Sequence, residues 1–266
     1  MSQSTLKQDV KAFWNKASCG THFAQSDKFS REYFEEIEAK RYQIEPEIFS
    51  FAQFTRYHGK KVLEVGIGAG TDFLQWVRAG AHAYGIDLTE EGIENVRHRL
   101  DVYQLSAEDV RVADAENMPY EDNTFDLIYS WGVIHHSPNT IRALEEIIRC
   151  TKQGGEIKIM VYNRRSLSVF WKYLRFGLFR GRPFRSIADI MYHHQESPGT
   201  TVYSIPQLRE ICAKYPVEVL HMEAPLTSWD LLWYAPAPFR FVASSLGRLF
   251  LRRCGGWFLM VHLRKR

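Results

Sequence analysis

Glu64-Val65-Gly66-Ile67-Gly68-Ala69-Gly70-Thr71 sets three glycines at alternate positions, where the apolar run KVLEV (61–65) gives way to a helical pattern. Glycines there let the backbone turn sharply and bring its N–H groups close to a ligand. The helix start beyond them adds free N–H donors. Such a loop suits a cofactor built on adenosine. Two carboxylates narrow the chemistry. Asp87 closes the next apolar run, 21 positions after Gly66, where it can accept both ribose hydroxyls. Asp114, in ADAEN, closes a third run and can accept from an adenine amino group. The plainer role for both acids is to cap the turns that follow. Gly66-x-Gly68 with Asp87 also suits NAD, but Thr71 stands where that fingerprint wants Gly or Ala.

These residues need a scaffold that brings strand ends together. From Lys61 to Tyr162 strands and helices alternate. Strands are predicted at 61–65, 81–87, 109–114, 125–131 and 156–162, the last following a Gly154-Gly155 turn. Helices are predicted at 71–79, from a Thr89 cap to about Val102, and at 139–150. This alternation means a doubly wound, Rossmann-like α/β fold with ligands at the carboxyl ends of the strands. Residues 1–57 read as a helical N-terminal cover and 58–266 as the main domain, with lid insertions at 163–203 and 225–256. The first insertion is rich in arginine and aromatics (SVFWKYLRFGLFRGRPFR). Ser204-x-x-Gln207 reads as a capping box, with Pro206 in the first turn. VEVLHMEA (217–224) and WFLMVHL (257–263) are the last two strands.

Over residues 61–163 the chain resembles the class I S-adenosylmethionine-dependent methyltransferases. VLEVGIGAGT, GIDLT, ADAENMPYEDNTFDLIYSWGVIHHSP and TKQGGEIKIMVY fall in that family's order and spacing. The likeness is strongest to small-molecule enzymes of ubiquinone and natural-product type. Gln153-Gly154-Gly155 stands where members often have Pro-Gly-Gly. The resemblance implies a sheet of order 3-2-1-4-5-7-6 with its last strand antiparallel, and S-adenosyl-L-methionine as cofactor. It assigns Glu64, Gly66 and Gly68 of the Gly66–Gly70 loop to the methionine part, Asp87 and Leu88 to ribose, and Asp114 and Ala115 to adenine. Ser130 and Trp131 would line the methyl-donor end.

Methyl transfer from a sulfonium is an in-line displacement, so alignment of the two reactants matters most. A hydroxyl acceptor gains from a base, and His135-His136-Ser137-Pro138 follows the fourth strand directly. One of the pair is expected to assist with an apparent pKa near ~6.5, the other to pack as a neutral ring. His193-His194 with Glu196 is a second possible base, with His194 next in line. Adjacent histidines point to different sides of a regular element, so no metal site is expected there. Arg41, beside Tyr42, can reach the cofactor's carboxylate, though a solvated helix face is the simpler reading. Trp14, Cys19, Gly20 and Thr21 suggest a flap.

Hydrophobic residues at 45% and charged residues at 24% allow a sizeable core. The net charge of +3 divides into −7 over residues 1–160 and +10 over 161–266, pointing to an anionic partner for the second part. Four scattered cysteines and no apolar run of about 18 residues lead to an expectation of a cytoplasmic protein without a spanning helix. Residues 239–253 read as an amphipathic helix that covers a pocket or lies on an anionic membrane, a possible peripheral contact. WGVIHHSP replaces the Asn/Asp-Pro-Pro-aromatic tetrad common to base-amine methylation, so nucleic acid is not the expected partner. The reading reached is O-methylation of a small apolar or aromatic acceptor. C- or N-methylation, an NAD oxidoreductase and a non-catalytic cofactor-binding or membrane-surface protein are the alternatives. The oligomeric state is left open.

Overall fold

Lys61–Val65 (β1) is buried at every position but its first, as a strand covered on both faces must be. In the computed structural model, which describes residues 3–231 and 255–266, it is an interior strand of a seven-stranded sheet. The other strands are His82–Asp87 (β2), Asp109–Val112 (β3), Phe125–Trp131 (β4), Thr151–Tyr162 (β5), Val217–Glu223 (β6) and Phe258–Lys265 (β7). Their order is β3-β2-β1-β4-β5-β7-β6. The first five run parallel, and β7 runs antiparallel between β5 and β6. This is the Rossmann-like sheet that the sequence resemblance implied.

Nine α-helices occur among the described residues. Gln3–Trp14 (α1), Arg31–Ile44 (α2) and Glu47–Ala52 (α3) precede the sheet. Thr71–Arg78 (α4), Glu90–Tyr103 (α5) and Thr140–Cys150 (α6) connect parallel strands. Leu167–Phe176 (α7) and Ile187–His194 (α8) lie between β5 and the last helix, Ile205–Cys212 (α9). The two larger cores follow from this layering, beside a small third cluster of Tyr33, Phe34, Ile37 and Ala69. One joins Leu63, Ile128, Ile147 and Leu263; the other joins Trp76, Tyr129, Met160 and Phe258.

Local chemistry fixes the element ends. The Thr89 hydroxyl accepts from Gly92 N–H (3.1 Å) at the start of α5 and donates to Asp87 (2.7 Å). Thr89→Ala removes a helix cap, so denaturant unfolding is expected to register a loss of about 1 kcal/mol. A loss below a few tenths would show that Asp87 holds the turn without the hydroxyl. Two sequence expectations need correction. Gly154-Gly155 does not precede β5 but lies inside it: the ladder starts at Thr151 opposite Phe125 and resumes at Glu156 opposite Leu127, with a bulge between. Ser204 precedes α9 but its side chain makes no cap bond, and Pro206, in the first turn, has no N–H to offer it.

Midway along β5, just past the bulge, a polar network replaces apolar packing. Glu156 accepts from Arg56 (2.6 Å) and Tyr57 (2.6 Å) and pairs with His262 (2.7 Å). The buried Lys158 ammonium donates to the Ala52 carbonyl (3.0 Å) and Gln53 (2.9 Å), and burial pushes its pKa down to about 8. No helix among the described residues is long and apolar enough to cross a membrane. The 239–253 helix expected from sequence, and most of the second insertion, lie outside the described residues.

Candidate active site

The carboxyl ends of β1, β2 and β4 open onto a cavity of about 640 Å³, within the range of small-molecule sites. Its first part is the glycine loop. Gly66 and Gly68 both take positive φ, 82° and 48°. A Cβ on Gly66 would stand 2.2 Å from Val133, whereas one on Gly68 would meet no protein atom within 4 Å. The backbone at Gly68 therefore faces open cavity, as a ligand cradle requires. Gly70 does not reach the cavity; it leaves room for Val96 of α5.

Three acids line this part. Glu64 is buried and takes a hydrogen bond from the Trp76 indole (2.9 Å). Burial, then neighbouring Asp72, raises its pKa well above the usual carboxylate range, so a cation brought beside it would be welcomed. Asp87 accepts from Gly68 N–H (2.9 Å) and Thr89 N–H (2.9 Å), so it braces the loop as well as facing the cavity. Asp114 caps Glu116 N–H (2.9 Å) and pairs with Lys7 of α1 (2.6 Å). Lys7 also reaches Glu116 (2.5 Å), and Lys11 reaches Glu90 (2.7 Å). Helix α1 is thereby strapped across the strand ends, and Trp14, Cys19 and Gly20 line the cavity beneath it.

A second part is aromatic. Trp131, Tyr162, Trp229, Trp257 and Phe258 line it, with Tyr162 stacked on Trp257 at 4.0 Å. The indoles of Trp131 and Trp229 both donate to Glu45, at 3.0 and 3.2 Å. Glu45, Arg41, Cys19 and Glu196 also line the cavity, the first two half-buried and the last two exposed. Desolvation by the surrounding protein pushes the Cys19 thiol up to about 12, so it is protonated at neutral pH.

Arg41 lines the cavity but has partners already. It grips Asp72 through two nitrogens (3.2 and 3.1 Å) and lies 3.7 Å from Glu45. Burial opposes its charge, but Asp72 and Glu45 outweigh that and keep it firmly protonated. Asp72 also accepts from Tyr42 (3.1 Å) and Tyr129 (3.0 Å). Leu88, Ala115 and Trp131 face the cavity, whereas Ser130 is turned away and donates to the Val65 carbonyl (3.0 Å).

The histidines separate. His135 is wholly buried, packs on Tyr162 at 4.0 Å, and is not brought to the cavity. His136 lines it, under the edge of Trp14. Thr200 Oγ1 donates to the Ser197 carbonyl (2.7 Å), so toward His136 Nδ1, 2.9 Å away, it accepts. Ser197 Oγ lies 2.8 Å from the same nitrogen; with the proton on Nδ1 both hydroxyls accept from it and Nε2 keeps a lone pair. That Nε2 has no hydrogen-bond partner among the described residues and lies 3.4 Å from Glu196 Oε2. Glu196, at a strained φ of 32°, accepts from the Tyr162 hydroxyl (2.9 Å). Burial lowers His136 to about 3 and raises Glu196. The expected titration of a catalytic histidine near ~6.5 is thus corrected: the ring is too enclosed to charge there. His194 sits at the cavity's edge, stacked on Phe176 and bonded to Arg185 (2.8 Å), while His193 pairs with Asp189 (3.1 Å). Among the described residues no cluster of His, Cys, Asp or Glu could hold a metal ion.

Sequence reasoning passed over Glu45, Asp72, Tyr162 and Trp229. Asp72, directly behind the glycine loop, carried a signal; Glu45, at the end of an acidic helix, carried none.

Comparison with known proteins agrees with this geometry. Residues 63–159 match the model of a family described as a methyltransferase domain. The chain is 32% identical over 154 residues to malonyl-[acyl-carrier protein] O-methyltransferase of Erwinia billingiae, covering 55% of this chain and 58% of that protein. It is 29% identical over 136 residues to phosphoethanolamine N-methyltransferase 2 of Caenorhabditis elegans, covering 50% of this chain and 31% of that one. It thus spans less than two thirds of the length of either relative. The geranyl diphosphate C-methyltransferase of Streptomyces coelicolor A3(2), solved with S-adenosyl-L-homocysteine, superposes with a TM-score of 0.65 at 13% identity, over 98% of both chains.

Proposed function

Since this chain belongs to the class I S-adenosylmethionine-dependent methyltransferases, we propose that it transfers a methyl group to the oxygen of a small apolar or aromatic acceptor. An NAD oxidoreductase has no use for this family pattern, and that alternative falls away. S-adenosylmethionine supplies an electrophilic methyl group on a good leaving group. The residues fit it: Glu64 offers an unbalanced buried carboxylate to an ammonium, Asp87 a carboxylate to ribose hydroxyls, and Asp114 with Ala115 an edge to adenine. Arg41 is in reach of a carboxylate while Asp72 and Glu45 hold its charge in place.

One observation carries the oxygen reading: the enclosed His136 ring at the cavity wall, whose Nε2 has no hydrogen-bond partner among the described residues and lies 3.4 Å from Glu196. An acceptor that arrives protonated, as a phenol or alcohol does, needs somewhere for its proton to go. The His136–Glu196 pair offers that place, and the aromatic wall excludes water that would compete for it. A second reading has its own support. Glu45, held by two indoles, suits an ammonium-bearing acceptor, because carboxylate and aromatic faces both favour a cation. Turnover of matched phenol and amine panels, with the methylated atom located by NMR, decides between them. Methyl on nitrogen or carbon would overturn the oxygen reading.

The cofactor assignment has a separate test. Asp87→Ala is expected to weaken S-adenosylhomocysteine binding by about 1.5–3 kcal/mol, the scale of lost charged hydrogen bonds. Asp87 also braces Gly68, so Asp87→Asn is measured beside it. Calorimetry with unchanged affinity in both variants would remove the ribose role.

A further inference from the structure

Among the described residues, five of the eight exposed large hydrophobic side chains fall within fifteen residues: Phe170, Trp171, Leu178, Phe179 and Phe184. Phe179 is 76% and Phe184 99% exposed. Helix α7 (LSVFWKYLRF) buries only Val169, although half of its residues are large and apolar. A helix that hides so little of its apolar surface is waiting for a cover. The loop behind it is not loose. The Tyr173 hydroxyl donates to the Pro183 carbonyl (2.6 Å), and the Gly177–Arg182 turn closes with a backbone bond of 2.9 Å. Leu178 and Phe179 are therefore displayed at a fixed tip.

Charge identifies the cover. Residues 163–188 contain seven Lys/Arg and no Asp/Glu. Arg164, Arg165, Arg180 and Arg182 make no ion pair with any described residue. Apolar side chains at a tip, flanked by unpaired arginines, match the layering of a bilayer interface: the rings enter the acyl boundary and the guanidinium groups meet the phosphates. Phe and Leu at this tip carry no side-chain groups to read a nucleic-acid base edge. The same segment borders the cavity, since Trp171, Arg175 and Phe176 line its wall. We propose that α7 and the 177–185 loop dock this protein on an anionic lipid surface, with the cavity entrance turned toward it. An acceptor with an apolar tail could then pass from the bilayer to the aromatic wall. That last clause rests on the methyltransferase reading; the docking itself does not.

The test uses the full chain and vesicles, with no turnover. Vesicles of phosphatidylglycerol mixed with phosphatidylcholine are expected to bind at least about tenfold more protein than phosphatidylcholine alone, with loss at high salt. The double variant F179S/F184S should bind about tenfold more weakly at an unchanged melting temperature. R180E/R182E should lose about fivefold per altered charge and flatten the salt dependence. Absence of binding to anionic vesicles, or binding undiminished in both variants, overturns the proposal. So does self-association abolished by F179S/F184S in ultracentrifugation without vesicle binding, which would make a second copy the cover. Binding to RNA but not to vesicles would overturn it as well.

Discussion

His136→Ala is expected to slow methyl transfer at least about 100-fold, with cofactor affinity within a few-fold of the parent. The imidazole lines the cavity, its Nε2 has no hydrogen-bond partner among the described residues, and its other nitrogen lies within hydrogen-bond distance of Thr200 and Ser197. The pH profile separates a base from a packing residue. Burial raises Glu196 above the ordinary carboxylate range and lowers His136 to about 3. As pH falls, Glu196 therefore takes up a proton first, and the pair stops accepting one from the acceptor. The rate should fall on an acid limb lying above the ordinary carboxylate range. In Glu196→Gln that limb should move down toward the histidine's own range, because only the ring is left to protonate. A limb that stays in place in Glu196→Gln, or His136→Ala retaining more than about a tenth of the rate, would assign the pair to structure.

Asp72→Ala should be the most destabilising of the single changes considered. The buried carboxylate gathers the Arg41 guanidinium and the hydroxyls of Tyr42 and Tyr129. Burial and Asp72 itself push both phenols up, so they stay donors and need an acceptor. Removing Asp72 leaves the buried Tyr129 hydroxyl unsatisfied, Tyr42 with only the Thr71 carbonyl (3.2 Å) and Arg41 with only Glu45 at 3.7 Å. Breaking a buried pair from one side costs about 3–5 kcal/mol, which at this chain length lowers the melting temperature by roughly 10 °C or more. Asp72→Asn keeps an acceptor and should lose about half as much. A loss below about 1 kcal/mol in the alanine variant would mean that water or Glu45 takes over these donors.

The contrast between these residues shows what a single sequence displays. The strands at 61–65 and 125–131 fall where the apolar runs put them, because a strand buried on both faces has a local signature. The glycine loop and Asp87 are equally local: one strand–turn–helix unit and the next strand end. The acceptor wall is not local. Glu45, Tyr162, Glu196 and Trp229 come from α2's end, β5 and two insertions, and each is ordinary in its own segment. Only the crossing of the chain over β4 and β5 makes them neighbours. His135 and His136 illustrate the limit most simply. They are adjacent in sequence and alike in type, yet one ring turns to Tyr162 and the other to the cavity. That choice is made by Thr200, sixty-four positions away.

The polar knot of Glu156, Arg56, Tyr57, His262 and Lys158 lies midway along β5, and Tyr162 at its carboxyl end. Glu156 stands six residues of strand from Tyr162, about 20 Å, and Lys158 four, about 13 Å. Substitutions at sites this far apart, with no shared partners, act additively. The knot can therefore hold the sheet closed while the residues around Tyr162 are exchanged one by one for a different acceptor. What this protein recognises and what keeps it folded can be inherited separately.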